Sequence, residues 1–301
     1  MSATHAEFNG RQASPEISVI MPAHNEEAVI GDVVGKVVAT LEGVGRSFEI
    51  LVIDDGSKDN TATVAESAGA RVIRHAYNIG NGAAIKTGFR NAEGEIFIML
   101  DSDGQHDPAD IPGFLEDMDT YDLSIGARQK ASETTAHRDF GNAVFNALAS
   151  YVGDRKIEDL TSGFRAVRRS VALEFIHFLP NSYSYPTTLT LSAIRAGYSV
   201  NFRPIVARKR VGKSGIRVFV DGPRFLMIIM RICVFFAPLK VFLPASFGLF
   251  LLGLIWYLGS IVFSDRPFPP FSMLLMQTSV IVFCFGLISE QISRAGVNRS
   301  K

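Results

Sequence analysis

Residues 241–264 carry no charged side chain, and neither do residues 271–289. A bilayer core takes roughly 20 apolar residues as a helix, so each stretch is long enough to cross one. The link between them, SDRPFPP, makes the pair a hairpin rather than one long helix. The competing reading is a pair of helices buried in a soluble core, but such cores rarely run this long without a charge. Arg231 and Lys240 precede the first stretch, and Arg294, Arg299 and Lys301 follow the second. In the link, Arg266 is offset by Asp265. The positive-inside rule then puts both ends of the hairpin in the cytosol and the link outside. This predicts a multi-pass protein of the cell (inner) membrane, in contact with membrane lipids, whose large preceding domain is cytosolic.

Lys and Arg together number 30, as do Asp and Glu, so the formal net charge of the 301 residues is zero. No basic excess points to nucleic acid as a partner, and no acidic excess points to disorder. The two cysteines, Cys233 and Cys284, lie in apolar segments without CxxC spacing. That argues against a disulfide framework or a zinc site. The first fifteen residues are polar and read as a loose tail, not a secretory signal.

Ahead of the hairpin the pattern changes. EISVIMPA, FEILVIDDGS, ARVIRHA, EIFIMLDSDG and YDLSIGAR read as buried strands, separated by segments at helical spacing. Short apolar strands alternating with helices predict an α/β domain with a mainly parallel sheet covered on both faces. Residues 129–200 read as mostly helical and then irregular, with VNFRPIVARKR returning as a strand. PRFLMIIMRICVFF, opened by Asp221 and Pro223, reads as an amphipathic helix in the membrane interface, with Arg224 and Arg231 among the headgroups.

Ligands of such sheets bind outside the carboxyl ends of the strands. That rule selects residues 22–27, 54–57, 101–106 and 126–128. In LDSDGQHDP, Asp101 and Asp103 stand one residue apart just past an apolar strand. Paired carboxylates repel each other unless they share a cation, and Mg²⁺ or Mn²⁺ commonly bridges oxygen ligands to substrate phosphates. Gln105 could add an oxygen and His106 a hydrogen bond or weaker ligand. A lone D-x-D is more often a turn or cap, and its place at a strand end with QH following argues for the site. IDDGSKDNT offers carboxylates to a base or ribose, or else a capped strand-to-helix turn. In MPAHNEE, Asn25 and Glu26 are candidate ligands or simple caps.

Taken together, SVIMPAHNEE, ILVIDDGSKDNT, NIGNGAAIKTGF and MLDSDGQHDP resemble the family 2 glycosyltransferases of GT-A fold, over about residues 16–215. GAR at 126–128, DLTSGFRAVRR, the R-x-G-x-S run at 210–214 and the terminal hairpin are similar to the polyprenyl-phosphate hexosyltransferases, the group that includes dolichol-phosphate mannose synthase. The resemblance implies a GT-A (Rossmann-like) domain and a nucleotide-sugar donor, GDP-mannose or UDP-glucose. It also implies a dolichyl or undecaprenyl phosphate acceptor and a Mg²⁺ or Mn²⁺ cofactor. It implies that Pro22, His24, Glu26 and Ser102 lie along the nucleotide, with Ile53 and Asp55 near its base. Asp101, Asp103 and Gln105 would hold the metal and the donor diphosphate. Arg128 would contact phosphate, Arg138 with the Asn142 and Ser162 region would face the acceptor phosphate, and Arg210 would close over the diphosphate. The sequence departs from the family at GKSG, where Lys213 or Arg217 would supply a charge, and at His24, where Tyr is common.

The chemistry is coherent without the resemblance. A hydroxyl acceptor needs a general base, and Asp159 could be one. A phosphate monoester is already anionic near neutral pH, so Asp159 would then orient an arginine. Arginines neutralise phosphate bidentately, which makes Arg128, Arg138, Arg165 and Arg210 informative as a set, although each alone could be a surface ion pair. A processive synthase would carry a Q-x-x-R-W motif. The sole tryptophan, Trp256, lies inside the first apolar stretch. A hydroxyl-specific transferase and a non-catalytic membrane scaffold are the other readings. The expected organisation is a tail at 1–15, the GT-A domain at 16–215, a juxtamembrane amphipathic helix at 216–238 and the hairpin at 239–301. A homo-oligomer is compatible with all of this.

Overall fold

The computed structural model describes residues 14–129, 146–147, 149–151, 153–207, 234–235, 237–264 and 269–298. They fall in two compact units, Met1–Asn142 with Glu158–Ser214, and Ala143–Ile157 with Gly215–Lys301.

The first unit is built on a seven-stranded sheet. Its chain runs β1 (Ile17–Ala23), α1 (Ile30–Val44), β2 (Phe48–Asp54), α2 (Thr61–Ser67), β3 (Arg71–Arg74), α3 (Asn81–Asn91) and β4 (Ile96–Met99). It continues with α4 (Ile111–Asp117), β5 (Leu123–Arg128), β6 (Arg165–Arg168), α5 (Arg169–Phe175), α6 (Tyr185–Arg195) and β7 (Val200–Ile205). The sheet order is β3-β2-β1-β4-β6-β5-β7. The chain therefore builds outward from β1 through β2 to β3, then returns to place β4 on the other side of β1. The crevice beyond β1 and β4 is the switch point where such sheets take ligands.

Both faces are covered. Ile17, Val19 and Met21 of β1 pack with Ile30, Val34, Val37 and Leu41 of α1 and Phe114 of α4 on one face. Ile20, Leu51 and Ile53 pack with Ile85 and Phe89 of α3, Phe175 of α5 and Leu189 of α6 on the other. The spacing of buried positions 30, 34, 37 and 41 is the amphipathic stripe of a helix. α1 stops at Gly45, whose left-handed φ of 73° lets its N–H bond Leu41 O.

The sheet is mixed, which the sequence did not reveal. β6 runs antiparallel between β4 and β5, with Met99 opposite Arg165 and Ile125 opposite the same residue. RAVR is four residues long and bounded by arginines, so it has no apolar run to announce a strand.

In the second unit, α7 (Pro238–Ser264) and α8 (Pro270–Asn298) form the hairpin. Gly286 lies so close to α7 that a Cβ there would sit 2.7 Å from Phe242 Cβ. Only 11% and 17% of their apolar windows are buried. Phe247, Leu252, Ile255, Val262, Phe285 and Ile292 point outward. A helix in a soluble core would bury these side chains, so their solvent is lipid. Residues 149–151 and 153–157 belong to this unit, although the sequence had assigned them to the catalytic domain. Lys240 Nζ donates to Tyr151 O at 2.6 Å and to Asp154 Oδ1, and Tyr151 Oη donates to Lys240 O at 3.1 Å. Of the expected juxtamembrane helix at 216–238, residues 216–233 and 236 lie outside the described residues.

Candidate active site

The loops after β1 and β2 are laced together by hydrogen bonds. Asp55 N donates to Ala23 O at 2.8 Å and Asn25 N to Ser57 Oγ at 2.9 Å. Asn25 adopts a left-handed φ of 56°, and its Oδ1 accepts Lys58 N at 2.9 Å. Glu26 N donates to Thr61 Oγ1, and Asn60 N to Glu27 Oε2. His24 is exposed. Its Nδ1 lies 3.0 Å from the Asp55 carbonyl, which can only accept, so Nδ1 carries the proton. Nε2 then accepts from Asn25 Nδ2.

The two aspartates that end β2 turn inward. Asp54 accepts from Ser57 N and from Arg74 Nε. Asp55 Oδ1 accepts from Ile79 N and faces His75 Nδ1 at 2.7 Å, while Oδ2 accepts from Gly80 N. Burial pushes the Asp55 carboxyl up, but the Ile79 N–H, His75 and the Gly80 N–H outweigh it and hold the group below its ordinary value. Asp55 thus builds the segment 75–80. Ile53, expected near a base, has its side chain fully buried in the core under α3. Ser102 is also turned inward and donates to Pro22 O at 2.8 Å. It joins the β4 loop to the end of β1, and is a strut where a ligand was expected.

Asp101 and Asp103 follow β4. Asp103 is buried, and its Oδ1 accepts Gln105 N at 3.1 Å. The Asp101 carboxylate rests on Gly163, where a Cβ would lie 2.9 Å from Asp101 Cγ. His106 is buried against Phe164, with ring centroids 5.3 Å apart. Its Nδ1 has no hydrogen-bond partner among the described residues. Burial pushes the His106 imidazole down to about 4, so it is neutral at physiological pH and cannot serve as a cation.

Asp159 and Arg128 form a forked pair: Nε donates to Oδ2 at 2.7 Å and Nη2 to Oδ1 at 3.0 Å. Arg128 Nη2 also donates to Thr161 Oγ1 at 2.6 Å. The same Asp159 Oδ1 accepts Thr161 N and Ser162 N. Burial raises the Asp159 carboxyl, but Arg128 and these backbone donors hold it below its ordinary value. An orienting carboxylate fits that environment, and a general base does not.

Arg165, expected among the phosphate ligands, is instead fully buried. Its guanidinium donates to Ser162 O, Pro186 O and Thr190 Oγ1. Ser162 Oγ is sealed from solvent and has no hydrogen-bond partner among the described residues. Arg138, Asn142, Arg210, Lys213 and Arg217 lie outside the described residues.

The residues fit a divalent cation in one specific sense. Among the described residues no group of three or more His, Cys, Asp and Glu side chains is arranged to hold a metal alone. A two-carboxylate set suits a hard cation that completes its coordination with phosphate oxygens and water, and does not suit a closed structural zinc site.

A doubly covered, mainly parallel sheet with acidic and arginine groups at its switch point is a ligand-binding α/β domain, and comparison with known proteins narrows it to a glycosyltransferase domain of GT-A type. Residues 18–175 match the glycosyl transferase family 2 profile, and residues 237–295 match the GtrB C-terminal hairpin. The chain belongs to glycosyl transferase family 2. It is similar to undecaprenyl-phosphate 4-deoxy-4-formamido-L-arabinose transferase of Shewanella sediminis, 26% identical over 92% of this chain and 87% of that one. The protein of that name from Pseudomonas paraeruginosa is 27% identical over 92% of this chain and 85% of its own. Among solved structures, glucosyl-3-phosphoglycerate synthase from Mycobacterium tuberculosis with Mn²⁺, uridine diphosphate and glucosyl-3-phosphoglycerate superposes with a TM-score of 0.58. It covers 73% of this chain and 80% of that one at 22% identity, a likeness of fold.

Proposed function

We propose that this enzyme transfers a single sugar from a nucleoside-diphosphate sugar to a polyprenyl phosphate, on the cytosolic face of the membrane crossed by its hairpin. The observation that carries the reading is the carboxylate Asp101 after β4, seated against Gly163 of the same 159–163 loop whose Asp159 clamps Arg128, with Asp103 two residues on. The names of the similar transferases, which specify undecaprenyl phosphate, support the acceptor class.

In this reading the nucleotide lies along the β1 and β2 loops. Pro22, His24 and Glu26 border it, Ile53 contributes main chain, and Asp55 acts through the segment it holds. Asp101, Asp103 and Gln105 would hold Mg²⁺ or Mn²⁺, which when bound would supply charge neutralisation at the diphosphate. Arg128, fixed by Asp159, binds phosphate, and Arg138 and Arg210 complete the cationic set. The acceptor phosphate oxygen attacks the anomeric carbon as the bond from that carbon to the diphosphate oxygen breaks. The nucleoside diphosphate leaves with the electron pair, and the centre inverts. No proton has to be removed from a phosphate anion. This suits a site whose candidate base, Asp159, already accepts from Arg128, Thr161 and Ser162.

The test incubates the purified membrane enzyme with polyprenyl phosphate and labelled UDP-glucose, GDP-mannose or a 4-formamido-arabinose nucleotide, with and without Mn²⁺. A lipid-linked product of inverted configuration is expected from one donor, and none from Asp103→Asn. Unchanged turnover in that variant, or a product of retained configuration, refutes the mechanism.

A further inference from the structure

Arg165 is the largest fully buried side chain among the described residues. It is fully buried, yet among the described residues no carboxylate lies within ion-pair distance of it. Its hydrogen bonds go to two carbonyls and a hydroxyl. A buried guanidinium without a direct counter-ion carries a desolvation cost that an apolar side chain would not. Core packing alone therefore does not account for it.

What the guanidinium grips gives a reason. Both Nε and Nη2 hold the carbonyl of Ser162, and Nη1 is braced against α6 through Pro186 O and Thr190 Oγ1. Ser162 lies between the two contacts that shape the diphosphate end of the site. On one side its N–H donates to Asp159, which forks onto Arg128. On the other, Gly163 forms the seat of the Asp101 carboxylate. β4 and β6 bring the same parts together, because Arg165 stands opposite Met99, two residues before Asp101.

We infer that Arg165 is a positioning residue: it pins the Ser162–Gly163 turn to α6, and the turn sets Asp101 and Arg128 in register for a cation-bound diphosphate. The inference rests on the metal-binding reading of Asp101 and Asp103 given above. The pin also places a fixed positive charge behind the site, where Asp101 and Asp159 are the acidic groups that feel it. Gly163 follows from the same geometry: any side chain there displaces Asp101.

The test uses the full-length enzyme in detergent and measures Mn²⁺-dependent binding of UDP and GDP by calorimetry, alongside thermal unfolding. Arg165→Lys keeps the charge and loses the fork, Arg165→Met keeps the volume, and Gly163→Ala leaves the pin intact but crowds Asp101. Each is expected to weaken Mn²⁺-dependent nucleotide binding at least tenfold. Binding without metal should change little, and Arg165→Lys should recover part of the loss seen in Arg165→Met. Asp103→Asn is the control for the metal reading, and should abolish the Mn²⁺ dependence. If Asp103→Asn loses it while folded Arg165 variants and Gly163→Ala bind as wild type, the positioning role is wrong and the metal reading stands. If Asp103→Asn binds as wild type, the metal reading itself has failed. Should both Arg165 variants fail to fold, Gly163→Ala decides, and wild-type binding there overturns the seat.

Discussion

Single carboxylates carry much of the organisation around the crevice. Asp159 collects two guanidinium donors, the backbone N–H groups of Arg128, Thr161 and Ser162, and the Thr161 hydroxyl, and its side chain and that of Arg128 are largely shielded from water. Removing one partner of such a pair leaves a shielded charge unmatched, which typically costs 3–5 kcal/mol. Asp159→Ala is therefore expected to lose roughly 3 kcal/mol of stability, read from denaturant unfolding, and to turn over poorly because Arg128 is released. Asp55 makes a pH-dependent contribution. Its pKa in the folded chain is held below the ordinary 3.8. The stabilisation is thus fully present above that value and is lost as pH falls through the lowered one. Asp55→Asn should cost about 1–3 kcal/mol near neutrality, since an amide N–H₂ would face backbone donors. It should also flatten the acid limb of the stability curve, which unfolding at a series of pH values measures. A variant with the wild-type acid limb would show that the His75, Ile79 and Gly80 contacts do not matter.

At the scale of elements, close packing decides outcomes that propensity would get wrong. Gly88 lies inside α3 against Ile20 of β1, with Ile20 Cβ 3.4 Å from where a Cβ would stand and Cγ2 nearer still. Alanine gains up to about 1 kcal/mol of helix propensity there, but overpacking a filled core costs about 1–3 kcal/mol. Gly88→Ala should accordingly lower the unfolding midpoint, and a raised midpoint would mean the sheet yields easily. The elements legible in the sequence were those with strong periodicity. β1, β2 and α1 announced themselves by apolar runs and a 3.6-residue stripe. β6 did not, because Arg165 at its start reads as a surface charge and its strand character comes entirely from pairing with β4 and β5. The same limit applies to the site. The carboxylates at strand ends were readable from position, and the proximity of Arg128 and Asp159, 31 residues apart, comes from the fold. The inward turn of Ser102 and the burial of Arg165 depend on partners 80 and 25 residues away, Pro22 and Thr190, and no local pattern encodes them.

At the scale of the whole molecule, the apolar faces of α7 and α8 require lipid, and the proposed orientation follows from the charges at their ends. A reporter fused after Lys301 is expected to be active only in its cytosolic form, and one inserted in the 265–268 link only in its exported form. The reverse pattern would put the nucleotide crevice on the side of the membrane that lacks nucleotide sugars. In the proposed function an acceptor that never leaves the bilayer gives the hairpin its use, whereas a soluble acceptor would make it superfluous. The central claim is that Asp101 and Asp103 grip a cation together with a diphosphate. Anomalous scattering from crystals soaked with Mn²⁺ and a nucleoside diphosphate tests it most directly. A manganese peak within coordination distance of both carboxylates and the β-phosphate is the expected result. Bound nucleotide with the manganese elsewhere, or with both carboxylates turned from the phosphates, would contradict it.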